Sequence, residues 1–247
     1  MKIKEIQAKN ILSKSKVYDW TINPYVGCMH SCTYCYARFM KRFSGHKENW
    51  GEFVDVKINA SELLRQEIKK KKKGKVWVSG VCDPYQPIER KYELTKKCLE
   101  ILQRNNWPVV IQTKSSLVLR DLELLKKFRE IEVGFTIPTG DEKIKKIFET
   151  KSSPIEERIK ALDKLHREGI KTYAMIAPLL PKAENLASQL KGKVDCVIID
   201  KMNYHYADWV YEKYKLEEMK KEDFFIQKGN ELNNLFRKEK IPCQVLF

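Results

Sequence analysis

Six short stretches of the chain are apolar or alternate apolar with polar residues, at 18–23, 76–78, 109–111, 133–137, 172–176 and 194–199. Their length and β-branched content predict strands. Between them the apolar positions recur with helical period. Leu94, Cys98, Ile101 and Leu102 fall on one face, as do Leu122, Leu125 and Phe128. Ser61 and Gly74 read as the N-cap and C′ residues of a helix before the second strand. Ser153-Pro154-Ile155-Glu156 reads as a capping box with proline in the first helical position, and the stripe Ile155, Ile159, Leu162 runs on to Gly169. Strand and helix alternating six times predict an α/β chain of parallel strands joined by right-handed crossovers. Six units are too few for the closed eight-stranded barrel, so the expectation is a partial (βα)6 TIM-like barrel with its ligands at the carboxyl ends of the strands. The expected division is a lead-in over 1–16, the barrel over 17–203 and a C-terminal helical extension over 204–247 packed on the barrel.

Composition narrows the function classes. With 43% hydrophobic and 33% charged residues in 247, the chain is neither a disordered tail nor a disulfide-stapled miniprotein. Forty-eight Lys+Arg against 33 Asp+Glu leave a net charge of +15, which makes nucleic acid a candidate partner. No stretch approaches the roughly 20 apolar residues of a membrane span, and Met1-Lys2-Ile3-Lys4-Glu5 lacks the apolar core of a secretory signal. A cytoplasmic protein without membrane partners is expected, in a compartment that keeps thiols reduced.

Seven cysteines are present, and three of them, Cys28, Cys32 and Cys35, crowd into eight residues after the first predicted strand. In a reducing compartment such a cluster points to metal before disulfides. Zinc sites usually take four protein ligands in two pairs; no second pair exists, although His30 or a distant cysteine could complete a set. Three soft thiolates suit iron and sulfide better: a [4Fe–4S] cubane held by three cysteines leaves one iron with an open position for a substrate or cofactor.

The Cys28, Cys32, Cys35 spacing with aromatic Tyr34 before the last cysteine resembles the signature of radical S-adenosylmethionine (SAM) enzymes. Asn23-Pro24-Tyr25-Val26-Gly27-Cys28, Cys35-Tyr36-Ala37-Arg38, the segment from Asp83 to Glu89 and Thr113-Lys114-Ser115 are similar to the spore photoproduct lyase-like subgroup. The resemblance runs from about Asn23 to Asn203 and implies the partial barrel as core fold. It further implies three irons on the three cysteines and the fourth chelated by SAM. Reductive cleavage of SAM then yields a 5′-deoxyadenosyl radical, with electrons from a donor such as a ferredoxin or flavodoxin. The backbone at Tyr34 is expected against the adenine, although a packed tyrosine would look the same. Ser79, Gly80 and Asp83 occupy the place of the motif that binds the SAM amino group, Asp83 alternatively capping a turn before Pro84. Lys114 and Ser115 are candidates for the SAM carboxylate. Thr136, Met175 and Asn203, near the ends of strands four to six, are candidates for the ribose or adenine, with core packing the alternative for the methionine.

Spore photoproduct lyase uses a cysteine after the second strand as hydrogen-atom donor. Cys82 lies in that segment, about two residues beyond the family position, and could equally be a buried small hydrophobe. The lysine run 69–73 reads as a solvated helix end, and the aromatic stretch Tyr204, Trp209, Tyr211, Tyr214 as a base-stacking surface or as packing for the C-terminal helix. The leading expectation is a radical SAM enzyme acting on a nucleic-acid base, either lyase-like or modifying. Its rivals are the same chemistry on a protein or small molecule, and a non-catalytic, zinc-stabilised nucleic-acid-binding module.

Overall fold

Apolar runs of three to six residues become strands because their neighbours are polar turns and helix caps, and all six are present in the computed structural model, which describes residues 1–247. In chain order the strands and helices are β1 (Lys2–Ile6), β2 (Leu12–Lys14), β3 (Trp20–Ile22), β4 (Tyr25–Val26), β5 (Phe53–Lys57), α1 (Ala60–Glu67), β6 (Val76–Val78), α2 (Glu89–Tyr92), α3 (Leu94–Arg104), β7 (Val109–Thr113) and α4 (Leu122–Leu125). They continue with β8 (Ile131–Thr136), α5 (Glu142–Phe148), α6 (Ile155–Arg167), β9 (Lys171–Ile176), α7 (Leu186–Leu190), β10 (Cys196–Ile199), α8 (Asp208–Lys213), α9 (Glu222–Lys238) and β11 (Cys243–Val245). Strands three, six, seven, eight, nine and ten are the six read from the sequence. No helix is long and apolar enough to cross a membrane.

The chain divides into two units, Met1–Ser31 with Ala37–Val133, and Cys32–Tyr36 with Gly134–Phe247. In the first unit β3, β6 and β7 are parallel, with Thr21 opposite Trp77 and Trp77 opposite Val110, and β2 closes antiparallel on β3. Ile22, Val76, Val78, Val109, Val110 and Ile111 are wholly buried, as expected of a parallel sheet covered by helices. A separate sheet, ordered β1-β5-β4, was not read from the sequence, because its strands are short or carry charge on exposed positions. In the second unit β9, β10 and β11 are parallel. The C-terminal extension is therefore not only helical: β11 pairs with β10, placing Cys243 opposite Val197.

Two helix boundaries differ from expectation. The helix begun near Ser61 starts at Ala60 and stops at Glu67 rather than Gly74. Glu67 turns its carboxylate to the Ile11 and Leu12 amides at 3.0 and 2.9 Å, and Lys71 reaches the Leu12 carbonyl, so the lysine run forms a turn that pins β2. The capping box at Ser153 does not form. Pro154 is extended at the N-cap of α6, and the Ile155 amide is taken by Glu142 of α5 instead. Gly169 ends that helix as predicted, with φ +78°.

Candidate functional site

The first half of the cysteine loop leaves β4 through Gly27, whose φ of +89° and whose 2.4 Å separation between a notional Cβ and the Phe53 carbonyl admit only glycine. The two-residue strand β4 therefore stands between the first predicted strand and the loop. Cys28 follows, buried, and the side chain of Gln86 grips the backbone on both sides of it. The Gln86 amide donates to the Gly27 carbonyl at 3.2 Å, and its oxygen accepts from the Met29 amide at 2.9 Å. Gln86 is itself wholly buried, so both bonds are shielded from water. His30, 2% exposed, lies 3.2 Å through Nε2 from the Asp83 carboxylate.

Asp83 is the hub of this unit. One carboxylate oxygen accepts from the Thr113 hydroxyl at 2.7 Å and the Tyr85 amide at 2.9 Å; the other accepts from the Lys114 amide at 2.7 Å and faces His30. Desolvation pushes the carboxyl upward, but His30, Thr113 and Lys114 outweigh it and hold it down at about 2. Three hydrogen bonds therefore converge on this one carboxylate, with the His30 ring beside it. Asp83 thus ties the loop after β6 to the end of β7 and faces His30, and its bond from the Tyr85 amide is the turn cap that the sequence offered beside contact with the SAM amino group.

The other expected residues of this unit lie around that hub. Ser79 is buried beside Cys82, and Gly80 brings its backbone against Thr21 and the Trp77 ring, a notional Cβ lying 3.3 Å from each. Cys82 packs against the apolar group Tyr25, Val54, Val56, Ile88 and Leu94, and desolvation pushes its thiol up to about 12. That thiol is therefore held as S–H at neutral pH. Lys114 is half-buried just past β7, and Ser115 caps the following turn, its hydroxyl accepting from the Leu117 amide at 3.3 Å.

The second half of the loop is anchored in the other unit. Thr33 donates its amide and its hydroxyl to the Phe148 carbonyl at the end of α5, at 2.9 and 3.2 Å. The buried Tyr34 hydroxyl donates to Glu149, and Glu149 pairs with Arg158 of α6 at 2.6 Å, both ions wholly buried. Desolvation and then the Glu149 charge hold the Tyr34 phenol well above its ordinary range. Arg158 also donates to the Thr136 carbonyl at 2.9 Å. Cys32 and Tyr34 sit in an apolar group with Phe148, Leu180 and Tyr211, against which Cys35 packs. Thr136 is buried, and half-buried Met175 accepts from the Ile137 amide at 2.9 Å. Asn203 is exposed, in the irregular segment after β10, and its amide donates to Asp200 and to the Lys201 carbonyl.

Gln86, Glu149 and Arg158 were not singled out as functional from the sequence. Gln86 does stand inside the quoted Asp83 to Glu89 segment, so a signal existed; Glu149, just past α5, and Arg158, on α6, carried none, being charged residues in or beside helices. No three His, Cys, Asp or Glu side chains are grouped around one ion position, and the case for a cluster rests on the donor set. Three thiols, none in a disulfide, lie on one short loop whose two halves are anchored by buried polar contacts. This donor set fits an iron–sulfur cluster.

Comparison with known proteins agrees. An uncharacterized protein of Methanocaldococcus jannaschii is 42% identical over 183 residues, covering 73% of this chain and 69% of that one. The spore photoproduct lyase of Clostridium acetobutylicum is 24% identical over 158 residues, 62% of this chain and 44% of that protein. Among solved structures, spore photoproduct lyase complexed with dinucleoside spore photoproduct superposes with a TM-score of 0.74 at 17% identity, covering 99% of this chain and 82% of that one. The fold is therefore the α/β, TIM-barrel type of that enzyme. The model of the Radical SAM superfamily matches residues 22–186, a span that contains the three-cysteine loop, Asp83 and Lys114. The chain belongs to the radical SAM superfamily, whose enzymes work with a [4Fe–4S] cluster and SAM.

Proposed function

We propose that this radical SAM enzyme acts on a base in nucleic acid, with Cys28, Cys32 and Cys35 as the cluster ligands. The observation that carries the substrate class is the distribution of charge. The unit Met1–Ser31 with Ala37–Val133 holds 27 Lys+Arg against 15 Asp+Glu, most of the excess of the whole chain. Phosphate neutralisation by such a surface supplies sequence-independent affinity for a polyanion.

Bound together, cluster and SAM supply a 5′-deoxyadenosyl radical that abstracts hydrogen. The chain's part is positioning. Cys28, Cys32 and Cys35 would hold the cluster, and three protein ligands would leave it a position for SAM. Lys114 supplies a cation for that carboxylate, and the Asp83 grip on its amide fixes where the side chain starts. Ser115 retains its hydroxyl proton for donation after accepting from Leu117. The Tyr34 backbone, held through Glu149, is the candidate surface for adenine, with Thr136 and Met175 as further wall. Cys82, kept protonated by burial, has the S–H bond that a hydrogen-atom donor needs.

The test is a binding titration of single-stranded DNA and RNA over a salt series, paired with an anaerobic assay for 5′-deoxyadenosine. The expected result is reductive SAM cleavage together with affinity that falls steeply as salt rises. SAM cleavage without oligonucleotide binding at low salt would overturn the nucleic-acid reading and leave the family chemistry standing.

A further inference from the structure

Aromatic rings left in water need a reason when they are ordered against one another. Tyr36, Tyr204 and Tyr206 are 38, 49 and 38% exposed, and they form a continuous stack within one unit. The Tyr36 and Tyr204 ring centres are 6.0 Å apart with planes at 21°; those of Tyr204 and Tyr206 are 6.0 Å apart at 16°. These are offset stacks, within the 4.5–7 Å range in which aromatic pairs attract. The members come from two remote chain segments, so the ladder is a product of the fold and not of neighbouring residues. Its inner end, Tyr36, follows the candidate cluster ligand Cys35 directly.

Exposure distinguishes this stack from core packing. Tyr211, two turns of sequence further on, shows the alternative: it is wholly buried and packs edge-on against Phe148 at 60°. The sequence offered both readings for the aromatic stretch, and the fold divides it. Tyr211 is core, while Tyr204 and Tyr206 present flat ring area to solvent beside the cysteine loop.

We propose that Tyr204 and Tyr206, continuous with Tyr36, form a stacking platform for unpaired nucleobases, guiding a base of single-stranded or locally opened nucleic acid toward the cysteine loop. This inference rests on the nucleic-acid reading above and adds where and how the base is held. The occupant follows from the shape of the surface and from the cysteine loop it adjoins. Consecutive near-parallel rings match consecutive bases, and every base has a π-face. A surface of this kind favours unstacked bases over duplex, in which the faces are already covered.

The experiment is fluorescence anisotropy on the anaerobically reconstituted enzyme with a labelled single-stranded oligonucleotide and an abasic strand of equal length. Three proteins are compared: the native chain, Tyr204→Ala with Tyr206→Ala, and Tyr204→Phe with Tyr206→Phe. Iron content and far-ultraviolet circular dichroism serve as fold controls. Loss of base stacking predicts a roughly 5- to 150-fold weaker affinity for the alanine pair, whereas the phenylalanine pair, which keeps both rings, stays within about twofold of native. The salt slope should be the same for all three, because stacking neutralises no phosphate. The abasic strand should bind native and alanine proteins equally. An alanine pair that binds the base-bearing strand as tightly as native, or a native protein indifferent to the missing bases, overturns the platform while leaving nucleic-acid binding intact. A native protein that binds neither strand at any salt overturns both readings.

Discussion

Replacing Glu149 by glutamine tests whether the second half of the cysteine loop is held by a buried ion pair. Glu149 and Arg158 are both wholly buried and 2.6 Å apart, Lys145 is buried close by, and the Tyr34 hydroxyl donates to the same carboxylate. Glutamine keeps the shape and removes the charge. Arg158 retains the carbonyls of Thr136 and Ser153 at 2.9 and 2.8 Å, but its counter-charge is gone. Breaking one side of a buried pair costs about 3–5 kcal/mol, because a cation is left in a medium that solvates it poorly. At roughly 2–4 °C per kcal/mol for a chain of this size, melting should fall by about 6–20 °C. The assay is thermal unfolding followed by circular dichroism on the reconstituted protein, with iron content measured after gel filtration, since Tyr34 lies between two candidate ligands. Tyr34→Phe completes a double-mutant cycle, and the two substitutions should be coupled, their effects summing to more than the double variant shows. A glutamine variant that melts within about 2 °C of native would refute the argument, because it would place the net worth of the pair below roughly 1 kcal/mol.

Four further outcomes are expected. Cys32→Ala should abolish the brown colour and SAM cleavage while leaving far-ultraviolet circular dichroism unchanged; retained cleavage would remove the residue from the ligand set. Lys114→Ala should weaken SAM binding, read by equilibrium dialysis, with iron content unchanged, and an unaltered SAM affinity would end its proposed role. The Asp83 carboxyl is held at about 2 against an ordinary 3.8, so its contribution is present above pH ~4 and is lost as pH falls through about 2. That depression corresponds to about 2 kcal/mol, and Asp83→Asn should remove this part of the acid-unfolding slope; identical acid curves would contradict it. Cys82, pushed up to about 12, should react with iodoacetamide at pH 8 on the order of a thousandfold more slowly than an exposed thiol, read by mass spectrometry of its peptide. Rapid labelling would show the thiol to be solvated.

Local pattern determined a good part of this protein. Strand length and helical period located β3, β6, β7, β8, β9 and β10, since a core-facing position must be apolar wherever the chain turns back on itself. Cysteine spacing marked the candidate cluster loop for a similar reason: ligands close in sequence are close in space whatever the rest of the fold does. Gly169 ended α6 because only the left-handed conformation there mattered, a property of one residue.

Tertiary structure decided which polar groups meet. Asp83 stood in a segment read as contacting SAM or capping a turn, and its oxygens meet Thr113, Tyr85 and Lys114 beside His30, partners fixed by where β7 ends. Gln86 grips the loop from 57 residues away, and Glu149 meets Tyr34 across 115. The same holds for caps and edges: Glu142 displaced the expected Ser153 box, and β11 became a strand because β10 offered it an edge. Periodicity encodes which face of an element turns inward, whereas the partner of a buried charge or amide is selected by the cost of leaving it unsatisfied. That cost exists only once the core has closed around it, which is why the sequence by itself located the cysteine loop and only the folded chain showed what anchors it.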